Sequence, residues 1–300
     1  MPMPPHPDPE YRGRFAPSPT GLLHAGSLTT AVGSYLEARV RGGQWLVRME
    51  DLDPPREVQG AADAILRTLE AFGFEWDGEV VYQSRRHGLY RAALDALRQA
   101  GLAYPCTCTR REIAAKARRG VDGWVYPGFC RSGPRNDRPQ PAWRVRVPED
   151  PVGFDDRLQG HHAQALSTDV GDFVLQRADG FWAYQLAVVV DDGEQGITDV
   201  VRGADLLVST PRQRWLQICL GLPHPGYCHL PVMVNAAGEK LSKQTLAPAI
   251  RPEAAARELV GALTRLGHPP PQGCGTLEEV WQWARSNWCL ERVPAGPVMV

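Results

Sequence analysis

Three groups of side chains in this 300-residue chain have the types and spacing to do chemistry. The first is His24 with Gly26 and Ser27, in the stretch RFAPSPTGLLHAGS from Arg14 to Ser27. A short apolar strand, a Pro-Ser-Pro-Thr-Gly turn and a helix start together suit an anion. The first helical N–H groups lack partners, and the helix macrodipole favours negative charge there. The same residues would also serve as a plain strand-to-helix connection. The second group is Lys240 and Lys243. Positive charge is otherwise written as 30 arginines, and the only other lysine is Lys116. Two lysines within four positions, on the glycine-bearing loop from Asn235 to Gln244, read as a demand for compact, flexible ammonium groups, with chance clustering as the plain alternative.

The third group is Cys106, Cys108 and Cys130, set among turns with glycine and proline. Three thiolates this close in sequence suit a small zinc knuckle, and Tyr126 or a water is the candidate fourth ligand. Simple burial is the alternative. Seven cysteines, an odd number, without a secretory signal argue against a disulfide framework.

Around these groups stand residues fit to hold a charged small molecule. Gln44 to Met49 reads as a buried strand running into Glu50-Asp51-Leu52-Asp53, and open α/β sheets place ligands at the carboxyl ends of their strands. Solvated loop acids would look the same. Phe181 to Asp192, FWAYQLAVVVDD, is a heavily buried segment with polar tips at Tyr184 and Gln185 and two acids at its end. Arg202 precedes a glycine in ITDVVRGADLL, where it suits a substrate carboxylate or a salt bridge to Asp199 or Asp205.

The elements that must position these residues follow from pattern. Helical spacing runs from Ala31 to Arg41 with Gly42-Gly43 as its stop, and amphipathic helices are expected over Glu57–Phe72 and Arg85–Ala100. Strand–helix–strand–helix alternation predicts a doubly wound, parallel, Rossmann-type α/β sheet. From 101 to 180 the texture changes to an inserted α+β subdomain carrying the cysteines, with strand pieces near 142–147, 154–160 and 171–177 and a polar loop holding His161 and His162. Ser209-Thr-Pro211 predicts a helix cap, with the helix running through Leu220. A short strand over Leu230–Val234 follows, and helices are expected near Pro252–Leu266 and Leu277–Trp288. Residues 1–11 read as a frayed tail, 12–100 and 181–235 as two halves of the catalytic sheet, and 236–300 as the lysine loop and a short helical C-terminal extension.

Composition excludes several classes. The chain is 43% hydrophobic and 22% charged, with net charge −1, so it is no general polycationic coat for nucleic acid. No apolar run approaches the roughly 18 residues of a membrane span. The N-terminal MPMPPHPDPE lacks a basic-then-apolar leader, so a cytoplasmic protein is expected. A monomer is the default.

The separated motifs line up with one family. PSPTGLLHAGS resembles the HIGH signature of class I aminoacyl-tRNA synthetases, and KLSKQ resembles their KMSKS loop. RFAPSPTG, VRMEDLD, AYQLAVVVDD and GITDVVRGADLLVSTP resemble the glutamyl branch, and the likeness covers about residues 12 to 245. The likeness stops short of the anticodon-binding region that full-length members carry, so a chain without that region is expected. A short chain with a C-x-C…Y-x3-C site resembles the glutamyl-queuosine tRNA(Asp) synthetases, which activate glutamate without tRNA and attach it to the queuosine base of tRNA(Asp). Two departures stand out: Ser27 replaces the second histidine of HIGH, and Gln244 the last serine of KMSKS.

The resemblance implies roles. Pro17, His24, Gly26, Ser27, Lys240 and Lys243 would hold ATP, His24 and Lys243 acting in catalysis, with Mg²⁺ arriving on the nucleotide. Arg14 would meet the glutamate side-chain carboxylate and Glu50 its ammonium, with Ser18, Tyr184 and Arg202 completing the pocket. Zn²⁺ would sit on Cys106, Cys108, Tyr126 and Cys130. The competing readings are a truncated glutamyl-tRNA synthetase charging a tRNA 3′ end, a non-catalytic nucleotide- or RNA-binding module, and a nucleotidyltransferase acting on a small molecule. Arg110, Arg111, Arg118 and Arg119, near the cysteine region, are one guess at an RNA-facing surface.

Overall fold

A computed structural model describes residues 10–235, 238 and 248–299. Lys240, Lys243 and Gln244 lie outside the described residues, as does the tail expected over most of 1–11. The chain begins with β1 (Arg12–Phe15), α1 (Ala25–Arg39), β2 (Gln44–Met49), α2 (Ala61–Ala71), β3 (Val81–Tyr82) and α3 (His87–Gln99). β1, β2 and β3 pair in parallel, with Arg14 opposite Leu46 and Arg48 opposite Val81. This is the alternation read from the sequence. α1 packs tightly on the sheet because Gly33 has no side chain: a Cβ there would lie 2.5 Å from Leu230 Cδ1. The helix ends as expected, with Gly42 at φ +66° and the Gly43 N–H on the Ala38 carbonyl.

The next stretch holds β4 (Ala103–Cys106), α4 (Arg110–Ala114), β5 (Arg119–Gly120), β6 (Gly123–Trp124), β7 (Ala142–Val145), β8 (Val152–Asp156), β9 (Gly160–Gln164), α5 (Leu166–Asp169) and β10 (Val174–Gln176). β10, β7 and β4 form an antiparallel sheet that carries Cys106, with Cys108 and Cys130 outside its strands. β8 and β9, inside the same range, instead join the main sheet through β12 (Gly226–Leu230). His161 and His162 lie on strand β9 rather than in a loop: His161 bonds Asp155 at 2.7 Å and His162 stacks on Phe154.

The second half runs through α6 (Tyr184–Glu194), β11 (Asp199–Gly203), α7 (Thr210–Leu220) and β12. β11 and β12 are parallel, and β11 lies beside β1, where Thr198 donates its backbone N–H to the Arg12 carbonyl at 3.0 Å. Ser209 is not the cap its sequence suggested. Its backbone is already helical, continuing a 3₁₀ turn, so its hydroxyl is left to bond Gln185 and Arg212.

Last come β13 (Met233–Val234), α8 (Ala255–Arg265), α9 (Leu277–Asn287) and β14 (Val298–Met299). The helical extension closes the main core: Trp281 packs edge-on against Tyr35 and Phe74 at 5.0 and 5.1 Å, and Trp45 stacks on Phe74. Buried aromatics of this size dominate core energetics. No helix among the described residues is long and apolar enough to cross a membrane.

Candidate active site

The carboxyl ends of β1, β2 and β11 converge with the first turn of α6 on a cavity of about 330 Å³. Arg14, Ser18, Glu50, Tyr184 and Arg202 all line it, so five residues spread over nearly 190 positions meet at one site. Parallel strands explain this, because their carboxyl ends all open on one edge of the sheet.

The floor of the cavity is charged. Arg14 is buried and turns its Nε to Asp192 Oδ1 at 3.1 Å. Arg48, wholly buried, donates to the same oxygen at 2.7 Å and to Gln195 Oε1 at 2.7 Å. Asp191 is held by Gln83, Arg86 and Tyr90 at 2.6 to 2.8 Å. The two acids at the end of FWAYQLAVVVDD are therefore counter-ions for arginines.

Glu50 is the carboxylate left over. Arg48 approaches its Oε1 only to 3.5 Å, and that oxygen accepts no hydrogen bond among the described residues. Burial pushes its pKa up to about 7 against the pull of Arg48 and Arg14, and the neighbouring charges of Asp192 and Asp191 add to the rise. A buried, under-bonded carboxylate beside a cavity suits a cation with hydrogen atoms to donate.

Arg202 also lines the cavity. Among the described residues its guanidinium bonds His229 Nε2 at 3.1 Å, Thr210 Oγ1 at 2.9 Å and Tyr184 Oη at 3.4 Å, and no carboxylate; the salt bridges to Asp199 or Asp205 considered from sequence are not made. Behind it, His229 Nδ1 lies 2.6 Å from Asp156 Oδ2, with both side chains fully buried. Accepting from Arg202 at Nε2 puts the imidazole proton on Nδ1, facing the aspartate. Burial pulls the His229 pKa down to about 4, so it stays neutral. Burial pushes against ionising Asp156, but the bonds from His229, Gln159 and Leu158 hold it down at about 2.

At the mouth of α1 the helix start differs from expectation. The Gly26 and Ser27 N–H groups do not stand without partners: His24 Nδ1 accepts both, at 3.2 and 3.4 Å, while Ser27 Oγ accepts the His24 N–H. With Nδ1 accepting, the ring proton sits on Nε2, where it can be donated to an anion. Pro17 holds the loop by accepting the Glu50 N–H at 3.0 Å. The chain returns to this spot after the lysine loop: Ala249 bridges His24, and the Ile250 N–H bonds the Leu23 carbonyl.

The three cysteines form a separate cluster in which every Sγ lies within 4.8 Å of the others. Tyr126 Oη sits among them, 3.3 Å from Cys106 and 3.9 Å from Cys108, and accepts the Cys130 N–H at 2.9 Å. Burial raises the Cys108 thiol to about 12, while hydrogen bonds from Thr107, Tyr126 and Cys108 overcome burial and lower Cys130 to about 7. Such a set could hold a metal ion.

Residues 10–272 match the model of the tRNA synthetases class I (E and Q), catalytic domain. The chain belongs to that family. Relatives named glutamyl-Q tRNA(Asp) synthetase include one from Chromobacterium violaceum, 72% identical over 290 residues and covering 97% of each chain. Another, from Dechloromonas aromatica, is 62% identical over 288 residues, 95% of this chain and 96% of that one. A glutamate tRNA ligase of Elizabethkingia meningosepticum, solved with its amino acid, shares the fold at TM-score 0.79 and 24% identity. It covers 97% of this chain and 67% of that one. A glutamate-tRNA synthetase from Elizabethkingia anophelis gives TM-score 0.78 at 25% identity, with 97% and 68% covered.

Within this class I synthetase fold, sequence reasoning found the cavity's wall but missed its supports. Arg48, Asp156, Asp192, Gln195 and His229 touch the site only through other side chains. Two left a signal: Arg48 is a charge inside the buried strand QWLVRM, and His229 a polar ring inside GYCHL, both of which need partners.

Proposed function

We propose that this class I synthetase activates L-glutamate with ATP, without tRNA, and transfers it to the queuosine base of tRNA(Asp). The reading is carried by the charge complement of the cavity. Glutamate has two carboxylates and one ammonium, and the wall offers Arg14, Arg202 and one under-bonded acid, Glu50. Arg14 would meet the side-chain carboxylate with the guanidinium edge that Asp192 leaves, Arg202 and Tyr184 the α-carboxylate end, and Ser18 a further polar contact. Glutamine offers a neutral amide in place of that carboxylate and would lose the charge-assisted bond to Arg14, which disfavours it. The family and the names of the relatives agree with this class of substrate.

In the first step an oxygen of the glutamate α-carboxylate attacks the α-phosphorus of ATP. A P–O bond forms and pyrophosphate leaves. Negative charge grows on the phosphate oxygens, and donors set in advance stabilise it. His24 would give its Nε2 proton from one side, with Pro17, Gly26 and Ser27 shaping the turn. Lys240 and Lys243 would close from the other, since their loop rejoins the fold at His24. Mg²⁺ would accompany the nucleotide phosphates. In the second step a hydroxyl of the acceptor base attacks the glutamyl carbonyl and AMP leaves.

For the cysteine cluster we propose one Zn²⁺ on Cys106, Cys108, Cys130 and Tyr126. Tetrahedral thiolates at about 2.3 Å from zinc lie near 3.8 Å apart, in keeping with sulfurs gathered within 4.8 Å. Bound there, zinc would tie β4 to the loop before β7 and take no part in the transfer.

The test is incubation with labelled glutamate, ATP and tRNA(Asp) with or without queuosine. Label on the modified tRNA alone supports the proposal. A glutamyl ester on the terminal ribose would instead identify a truncated glutamyl-tRNA synthetase.

A further inference from the structure

The hairpin β5–β6 carries an exposed ring that the activation chemistry does not use. We propose that Trp124 is the stacking platform for an unpaired base of the RNA substrate. This rests on the transfer reaction proposed above.

The hairpin is too short to be stable alone, yet it is pinned on several sides. Asp122 Oδ2 accepts from the largely buried Arg212 at 2.6 Å. Arg118 donates to the Thr168 carbonyl, and the Val121 N–H points to the Asp169 carbonyl. A Cβ on Gly120 would lie 2.1 Å from that same carbonyl, so the backbone is pressed against α5. An anchored hairpin could bury its large side chains. Instead Val121 is 55% exposed and Trp124 43%.

The surroundings select the partner. Arg119 lies over the Trp124 ring at 4.3 Å, and Arg110, Arg111 and Lys116 are exposed on the preceding helical stretch. The two acids of that stretch are occupied: Glu112 caps α4 through Thr109, and Asp122 holds Arg212. The outward charge is therefore positive on a chain of net charge −1. Cations for phosphates beside an exposed ring are how single-stranded RNA is held, with loop bases splayed onto aromatic side chains.

A chain of hydrogen bonds links the hairpin to the helix that bears Tyr184. Arg212 bonds Ser209 at 3.2 Å, Ser209 accepts from Gln185 at 3.1 Å, and Gln185 adjoins Tyr184 of the cavity wall.

The experiment compares Trp124→Ala and Trp124→Phe with the unaltered protein. Glutamate-dependent ATP–pyrophosphate exchange without tRNA should stay within about two-fold in both. Transfer to queuosine-bearing tRNA(Asp) should fall about ten-fold or more in Trp124→Ala, mainly through KM, and Trp124→Phe should restore most of it. Normal transfer by Trp124→Ala overturns the proposal and leaves the hairpin to a protein partner. Equal losses of exchange and transfer overturn it too, since they mark a structural role. Gel-shift affinity for the same tRNA separates this proposal from the reaction it rests on. Binding about ten-fold weaker in Trp124→Ala supports the platform even if glutamate lands elsewhere, and equal binding overturns it.

Discussion

Arg14 Nε and Asp192 Oδ1 lie 3.1 Å apart beneath the cavity, so the arginine assigned to a substrate carboxylate is already oriented by a protein carboxylate. Asp192 shares its charge with Arg48 as well. Under the proposed role, glutamate would not have to organise this guanidinium as it binds.

Replacing that carboxylate should be costly. Asp192→Asn keeps the shape and leaves two buried guanidiniums short of a counter-charge. Removing one partner of a buried pair costs about 3–5 kcal/mol. The expected outcome is a clear drop in melting temperature together with a raised KM for glutamate. Unchanged values of both would show that Arg14 and Arg48 are held by other means.

Glu50 should give the enzyme a pH signature. Its pKa is raised to about 7, so the carboxylate that would take the ammonium ionises only as pH climbs through that value. KM for glutamate should fall between pH 6 and 8 and lose that slope in Glu50→Gln. Stability moves the other way. The folded state binds this proton more tightly than the unfolded chain, so the stability lent by neutral Glu50 is present below the unfolded value near 4.5 and is lost as pH rises through about 7. Glu50→Gln should therefore melt higher than the parent at pH 8 and close to it at pH 4, as calorimetry would show.

The pair Asp156–His229 should tune binding through Arg202. His229→Ala removes the acceptor that sets the angle of the Arg202 guanidinium. We expect KM for glutamate to rise about ten-fold with a smaller change in kcat. His229→Gln, which can accept from Arg202, should recover part of the loss. Equal loss in both variants, with a lowered melting temperature, would reduce the histidine to packing.

Lys243→Ala should lower glutamate activation by about 10²-fold or more with the melting temperature intact, because a donor to developing phosphate charge acts mainly in the transition state. Near-normal pyrophosphate exchange would count against the assignment of this loop.

Freshly purified protein should contain about one zinc per chain by elemental analysis. Cys108→Ser or chelation should lower the melting temperature, since the energy of metal binding here would be folding energy. Metal-free protein of unchanged stability would leave the three cysteines as buried filler.

The motif residues were legible because their backbone context is local. A glycine-bearing turn before a helix, an acid ending a buried strand and cysteines on turns each announce themselves within a few positions, and parallel-strand alternation says that their carboxyl ends converge. His24, Glu50, Arg202 and the cysteine group could be named on that basis. The supports could not, because burial and pairing are long-range. Arg48 and Asp192 are 144 positions apart, as are few pairs in any local pattern, and Asp156 and His229 are 73 apart. An acid at the end of an apolar segment looks the same whether it binds substrate or holds an arginine. Only packing showed that Asp192 is taken by Arg14 and Arg48 while Glu50 Oε1 accepts no hydrogen bond among the described residues, and only packing placed a histidine behind Arg202.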